Sequence, residues 1–177
     1  ADFAQGSEVP QTKPQLIKKA RMTIVVKSLD KSVDAVEKVI NQQKGYLLSL
    51  QETQIDNSNY RSSATVQMRV PQNVLENTLS QLAELGIVQS RNITAEDAGE
   101  KIVDFQARLT NLRRTESNLQ KIMDKSGSIK DVLTVSQELS KIREQIERIT
   151  AQLKSLQNQV AYSKITLDLK AAVSSTS

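Results

Sequence analysis

Apolar residues between positions 94 and 160 recur with the period of two long helices. In the second half of this stretch the spacing alternates between three and four residues without interruption, which is typical of a coiled-coil seam. The apolar positions there are Val132, Val135, Leu139, Ile142, Ile146, Ile149, Leu153, Leu156 and Val160. A matching set in the first half consists of Ile102, Phe105, Leu109, Leu112, Leu119 and Met123. Together they predict an antiparallel helical hairpin that turns at residues 126–128, with Glu116 as the charged residue on its seam.

The chain before the hairpin alternates between strand and helix patterns in two units of the same layout. Four segments with a two-residue apolar period predict strands at residues 19–27, 46–53, 64–70 and 87–93. An amphipathic helical pattern follows the first strand and again the third. Two successive strand–helix–strand units predict a ferredoxin-like βαββαβ antiparallel sheet of the α+β class, with both helices on one face.

The two-residue period returns after the hairpin, where Ile165, Leu167 and Leu169 alternate with polar residues. This pattern predicts a fifth strand, so that both ends of the hairpin return to the same sheet. We therefore predict an α+β base, an inserted hairpin and two flexible ends. The division is a tether at 1–17, the base at 18–93 and 161–170, the coiled-coil hairpin at 94–160, and a tail at 171–177.

Local signals at the ends of elements add detail. Gly45 follows the first helix and is expected in the left-handed conformation that ends many helices. Leu48 and Leu50, in the strand that comes next, are expected to point inward. Residues 94–97 and 128–131 resemble capping boxes, and we expect them to open the two hairpin helices.

The composition limits the chemistry that the chain can perform. The chain has 177 residues, a formal net charge of +4, and neither Cys nor His. It therefore lacks thiol nucleophiles, zinc sites built from Cys and His, and a histidine general base. No apolar run reaches the roughly 18 residues of a bilayer-spanning helix. Because the chain begins at Ala1 instead of Met, we interpret it as a processed or truncated piece. We expect no enzymatic activity, cofactor or metal.

Four charged residues of the hairpin are candidate surface or specificity positions. Asp104 and Arg108 are four residues apart, a spacing at which they can form an ion pair along the helix. Glu116 has two interpretations: it fixes the register or the partner of the hairpin, or it lies where the arms splay and water enters. Lys125 belongs to the predicted tip, the point of the hairpin farthest from the base.

The uncovered face of the predicted sheet is polar and partly basic. Its candidate residues are Lys27, Gln51, Thr65, Gln67, Arg69 and Arg91. A nucleic-acid platform also needs aromatic side chains for bases to stack on, and the strands supply only Tyr46 and Tyr162. The composition therefore favours a solvated or partner-covered face over nucleic-acid binding.

Three segments carry a resemblance to a known family: MRVP at 68–71, VDFQARLTNL at 103–112, and DVLTVSQELSKIREQIERITAQLKSLQNQVAYSKITLDL at 131–169. Over residues 18–169 the chain resembles the bacterial family called domain of unknown function 4349, and the order of the elements agrees. The resemblance implies an extracytoplasmic protein that a lipoprotein cysteine or a transmembrane helix anchors to a membrane. Neither anchor is in this sequence, and the family offers no catalytic residues.

The pattern and the resemblance together favour a structural or interaction module of the bacterial cell envelope. In this hypothesis the hairpin docks a protein partner or a second copy. The alternative is a module that binds or senses a lipid, glycan or peptide in a groove between hairpin and sheet. That alternative predicts an apolar pocket near Phe105, Leu109 and Tyr162. Nucleic-acid binding on the open sheet face is a third, less favoured hypothesis.

Overall fold

The computed structural model describes residues 14–54 and 60–172. Within these ranges the chain forms one five-stranded sheet and four α-helices. The strands are β1 (Leu16–Val26), β2 (Tyr46–Gln54), β3 (Tyr60–Pro71), β4 (Ile87–Asp97) and β5 (Tyr162–Ala172). The helices are α1 (Leu29–Gln42), α2 (Leu75–Ala83), α3 (Gly99–Lys125) and α4 (Ile129–Ala161), and a 3₁₀ turn at Gln72–Val74 precedes α2. The α+β class and the helical hairpin before the last strand are therefore confirmed.

The strand order of the sheet is β2-β3-β5-β1-β4, which differs from the ferredoxin-like order that the sequence predicted. A ferredoxin-like sheet places the first strand directly beside the third. Here β5 lies between them, parallel to β1 and antiparallel to β3, so the sheet is mixed. The last strand is thus the central strand of the base and not an addition at an edge.

The apolar side chains of β5 explain its central position. Ile165, Leu167 and Leu169 are all fully buried, together with alternate residues of β1 and β3, under α1 and α2. A strand with a continuous apolar row on one face gains most from burial when strands flank it on both sides. The opposite face of the sheet carries polar side chains on the same three strands.

At the end of α1, Lys44 takes the left-handed conformation that was predicted for Gly45. Lys44 is the residue with a positive φ, of 60°, and the glycines of the described chain have none. The N–H of Gly45 donates to the carbonyl of Ile40 (2.9 Å), and that of Lys44 donates to the carbonyl of Asn41 (3.2 Å), as in a Schellman motif. A Cβ on Gly45 would collide with the backbone carbonyl of Arg69. Glycine is needed there for close approach between strands, and Lys44 takes the left-handed position.

Strand β2 lies at an edge of the sheet, and its side chains are exposed. The pairing with β3 skips Leu48, which sits in a bulge between Leu47 and Ser49. Leu48 is 42% exposed and Leu50 is 37% exposed. Leu50 stands opposite the buried Val66, so it lies on the predicted inner face but is only partly covered, because β2 is an edge strand. Leu48 sits in the bulge and has no inward partner on β3.

The hairpin consists of α3 and α4, which have 27 and 33 residues. At about 1.5 Å per residue these helices are about 40 and 50 Å long. The first helix begins at Gly99 and not at residue 94, because residues 94–97 continue β4. The Oδ1 atom of Asp97 accepts from the N–H of Gly99 (2.9 Å). The second helix opens as predicted, since Ser128 Oγ accepts from the N–H of Asp131 (3.2 Å).

A second apolar cluster joins the hairpin to the sheet. It consists of Ile17, Ala98, Ile102, Leu109 and Leu153, and we call it the root cluster. Ile17 belongs to β1 and alternates with the residues that face α1 and α2, so the hairpin packs on the other face of the sheet at one end. The backbone N–H of Ala98 also donates to the carbonyl of Gln15 (2.7 Å).

The two predicted ends fall largely outside the described residues. Residues 16 and 17 of the predicted tether belong to β1, and residues 1–13 are outside the description. Residues 171 and 172 of the predicted tail belong to β5, and residues 173–177 are outside it.

Candidate functional site

The apolar positions of the predicted seam lie between the two arms of the hairpin. Ile102, Leu109, Leu139 and Leu153 are buried. The other seam positions are half-buried, namely Phe105, Leu112, Leu119, Met123, Val132, Val135, Ile142, Ile146, Ile149, Leu156 and Val160. A seam formed by two helices alone leaves one side of each apolar residue near solvent, so this pattern is the one expected for an isolated pair.

The far end of the hairpin exposes large apolar side chains that do not belong to the seam. Ile122 is 54% exposed, Leu133 is 57% exposed and Ile129 is 90% exposed. All three lie in the last turn of α3 or the first two turns of α4, and we call them the apolar tip. The three-and-four spacing of the seam does not include these positions, so the pattern gave no signal for them. Ile129 and Leu133 are four residues apart on one face of α4, and exposed aliphatic residues that lie close together are typical of an interaction site.

A shallow groove runs beside the apolar tip. Its volume is about 530 Å³, and its lining includes Ile122, Lys125, Thr134 and Val135. The candidate residue Lys125 therefore lies next to the exposed apolar side chains, where its aliphatic stem can cover apolar surface and its ammonium group stays in water.

Glu116 contacts the opposite arm of the hairpin. Its Oε2 atom lies 3.1 Å from Arg143 Nε, and Arg143 Nη2 donates to Gln120 Oε1 at 3.2 Å. The side chain of Glu116 is 33% exposed and that of Arg143 is 54% exposed. This ion pair connects α3 to α4 at a defined position along the hairpin. It therefore fits the first interpretation, in which Glu116 fixes the register of the two arms.

We expect a double-mutant cycle of E116A and R143A to give a coupling free energy of about 0.2–1 kcal/mol, since the pair is largely exposed. The measurement is urea unfolding of the wild type, the two single variants and the double variant, followed by circular dichroism. A coupling of zero would assign Glu116 to the second interpretation, a wet position without influence on register.

Asp104 and Arg108 form the ion pair for which their spacing is suited. Arg108 Nε lies 3.1 Å from Asp104 Oδ2, and both side chains are exposed. Arg108 also lines a groove of about 460 Å³ along the side of the hairpin, together with Leu112 and Ile149. The pair stabilises the helix by a few tenths of a kcal/mol at most.

The three residues around which a ligand groove was predicted make packing contacts. Leu109 is buried in the root cluster, and Phe105 packs against the same cluster. The ring of Tyr162 packs against the ring of Tyr46, with their centroids 5.6 Å apart. The three residues therefore contribute to packing, and a cavity of about 860 Å³ lies beside them at the start of α3, where Ile102 and Val103 are among its lining residues.

The open face of the sheet contains most of the polar residues assigned to it. Gln51, Thr65, Gln67 and Arg69 stand opposite other polar residues in the register. Arg91 does not belong there, because its Nη2 atom lies 2.8 Å from Glu76 Oε2 on α2. The prediction for Arg91 is wrong because a bulge in the pairing of β1 with β4 changes the face on which it lies.

Comparison with known proteins adds one match. Residues 14–177 match the family described as Domain of unknown function (DUF4349). No curated protein and no solved structure matches the chain. Within residues 14–54 and 60–172, none of the helices combines the length and the hydrophobicity needed to span a bilayer. The same residues contain no group of three or more acidic side chains that could hold a metal ion.

Proposed function

The chain belongs to the DUF4349 family, and on this premise we propose that it is a non-enzymatic interaction module that docks a protein partner through its helical hairpin. The partner that we propose is a second copy of the chain. The absence of Cys and His from the sequence supports a role without catalysis, since a thiol nucleophile and the commonest general base are missing.

The apolar tip is the observation that carries this proposal. Ile122, Ile129 and Leu133 expose most of their surface at the end of the hairpin opposite the root cluster. Their contact with water is unfavourable. Complete burial of one such aliphatic side chain in an interface contributes about 1.5–3 kcal/mol to the free energy of association. Contact between two such tips would bury aliphatic side chains of both copies.

The charges around the tip favour a second copy over a strongly charged partner. Residues 121–131 contain three lysines and two aspartates, so positive and negative charges nearly balance. A surface of this kind does not repel itself strongly, and a twofold interface places the same patch on both subunits. The exposed aliphatic residues then supply the affinity.

We also propose that the module works in the bacterial cell envelope, held at a membrane by an anchor outside this sequence. Support for this location comes from the family resemblance of the segments at 103–112 and 131–169. An extended hairpin about 40 Å long would then carry the docking surface away from the base.

A spin label at the tip tests the proposed contact. The chain has no cysteine, so the variant G127C supplies a single attachment point, and a Cβ at Gly127 meets no atom within 4 Å. We expect an intermolecular distance well below the ~40 Å length of α3 in a double electron–electron resonance measurement.

The matched control is K38C, a label on the exposed side of α1. It should give a much longer distance, because α1 lies on the base and not on the hairpin. Absence of intermolecular coupling at residue 127, or a shorter distance at residue 38, would contradict the proposal.

A further inference from the structure

Five side chains form a straight row across the open face of the sheet. In the register each stands directly opposite the next, from one edge strand to the other. The row consists of Tyr46, Arg69, Lys164, Lys19 and Thr94. Its three central members are cations on neighbouring strands β3, β5 and β1, and we call them the cationic row.

The cationic row places like charges close together. Neighbouring strands are about 4.8 Å apart, and like charges directly opposite each other destabilise a sheet. In the described part of the chain, neither Lys19 nor Lys164 forms an ion pair. Arg69 Nη1 donates to the backbone carbonyl of Tyr162 at 3.5 Å, a contact that does not compensate its charge.

The carboxylates on the same face are engaged elsewhere or lie to the side. Asp168 accepts from Arg21 Nε at 3.1 Å and from Thr65 Oγ1 at 2.9 Å. Glu96 stands opposite Ile17, nearer to the hairpin, and forms no ion pair among the described residues. Among the described residues, the positive charge of the row is therefore left without an acidic partner.

A shallow cavity of about 270 Å³ lies over one end of the row. It is lined by the cationic side chains of Lys19, Lys164 and Arg21 and by the polar side chains of Asn92, Thr94 and Thr166. The ammonium, hydroxyl and amide groups come from three strands and can all donate hydrogen bonds. Residues of the hairpin do not line this cavity.

We infer that this cavity binds a phosphate group, carried by a small soluble ester or by a lipid headgroup. A phosphate offers several strong acceptor oxygens around one centre, which suits donors that converge from three strands. A carboxylate has only two oxygens in one plane. The bound anion relieves the repulsion in the cationic row. This inference is independent of the docking function proposed for the hairpin.

Titration of the whole chain with inorganic phosphate, followed by ¹⁵N-resolved NMR, tests the inference. We expect saturable shifts confined to the backbone amides around Lys19, Lys164 and Thr94. The double variant K19Q/K164Q should bind about fivefold to tenfold more weakly, since two charge contacts at a solvent-accessible site are lost. The control K121Q/K154Q removes the same charge from exposed positions on the hairpin and should bind like the wild type.

Two further probes identify the carrier of the phosphate. Binding of glucose 1-phosphate, but not of glucose, supports a soluble ester. Sedimentation with phosphatidylglycerol vesicles, but not with phosphatidylcholine vesicles, supports a lipid headgroup when K19Q/K164Q abolishes it and K121Q/K154Q does not. The inference is overturned if no probe binds, or if K19Q/K164Q and K121Q/K154Q weaken binding equally.

Discussion

Substitution of Leu167 by Ala is expected to lower the free energy of unfolding by about 3 kcal/mol, within the range of about 2–5 kcal/mol for buried leucines. Leu167 lies in β5, is completely buried, and stands between Met22 of β1 and Val66 of β3. Because strands flank it on both sides, its neighbours cannot easily close over the cavity that the substitution leaves. Urea unfolding followed by circular dichroism measures the loss.

The variant L50A is the matched control for L167A. Leu50 also stands opposite Val66, but it lies on the edge strand β2 and is 37% exposed. We expect L50A to lower the free energy of unfolding by about 1 kcal/mol or less, since much of the Leu50 surface already contacts water. Equal losses for L50A and L167A would contradict a central position of β5.

The sequence predicted the elements of this fold well because most of them have one apolar face. The alternation of Ile165, Leu167 and Leu169 predicted β5, and the three-and-four spacing predicted both arms of the hairpin. Periodicity reports which residues of a segment face the core, and this property depends on the segment alone.

The order of the strands could not be predicted in the same way. Both a ferredoxin-like sheet and the observed sheet give each strand the same alternation, so the pattern does not distinguish them. One signal was available, since the inward residues of β5 are all large and aliphatic, whereas β2 combines leucines with Glu52. A strand with a charged residue on its inward side is better suited to an edge.

Two further details depend on contacts between distant segments. Lys44, and not Gly45, adopts the left-handed conformation, because Gly45 must fit against the carbonyl of Arg69. The cationic row requires the registers of several strand pairs at once, and spacing within the chain contains no information on them. The sequence predicted the polar character of the open sheet face but not the cavity beside Lys19 and Lys164.

Replacement of the apolar tip is expected to abolish self-association. The triple variant I122S/I129S/L133S removes the exposed aliphatic surface that would be buried between two hairpins. Each aliphatic side chain contributes about 1.5–3 kcal/mol when buried, so the loss should weaken association by roughly 100-fold or more. The free energy of unfolding of the single chain should change little, because these side chains are 54–90% exposed in it.

The control for the tip variant is I87S/V103S. Ile87 and Val103 are exposed aliphatic residues as well, at 73% and 64%, but they lie on β4 and in the first turns of α3. Their replacement lowers surface hydrophobicity without touching the tip. We expect I87S/V103S to associate like the wild type, so a difference between the variants assigns the effect to the position of the residues.

The mass in solution at increasing protein concentration, obtained by light scattering, tests the central claim most directly. For the wild type and for I87S/V103S, the weight-average mass should rise above the 19.7 kDa of one chain. For I122S/I129S/L133S it should stay at 19.7 kDa. A wild type that stays at the mass of one chain throughout, or a tip variant that associates as the wild type does, would contradict the claim that the hairpin tip docks a second copy.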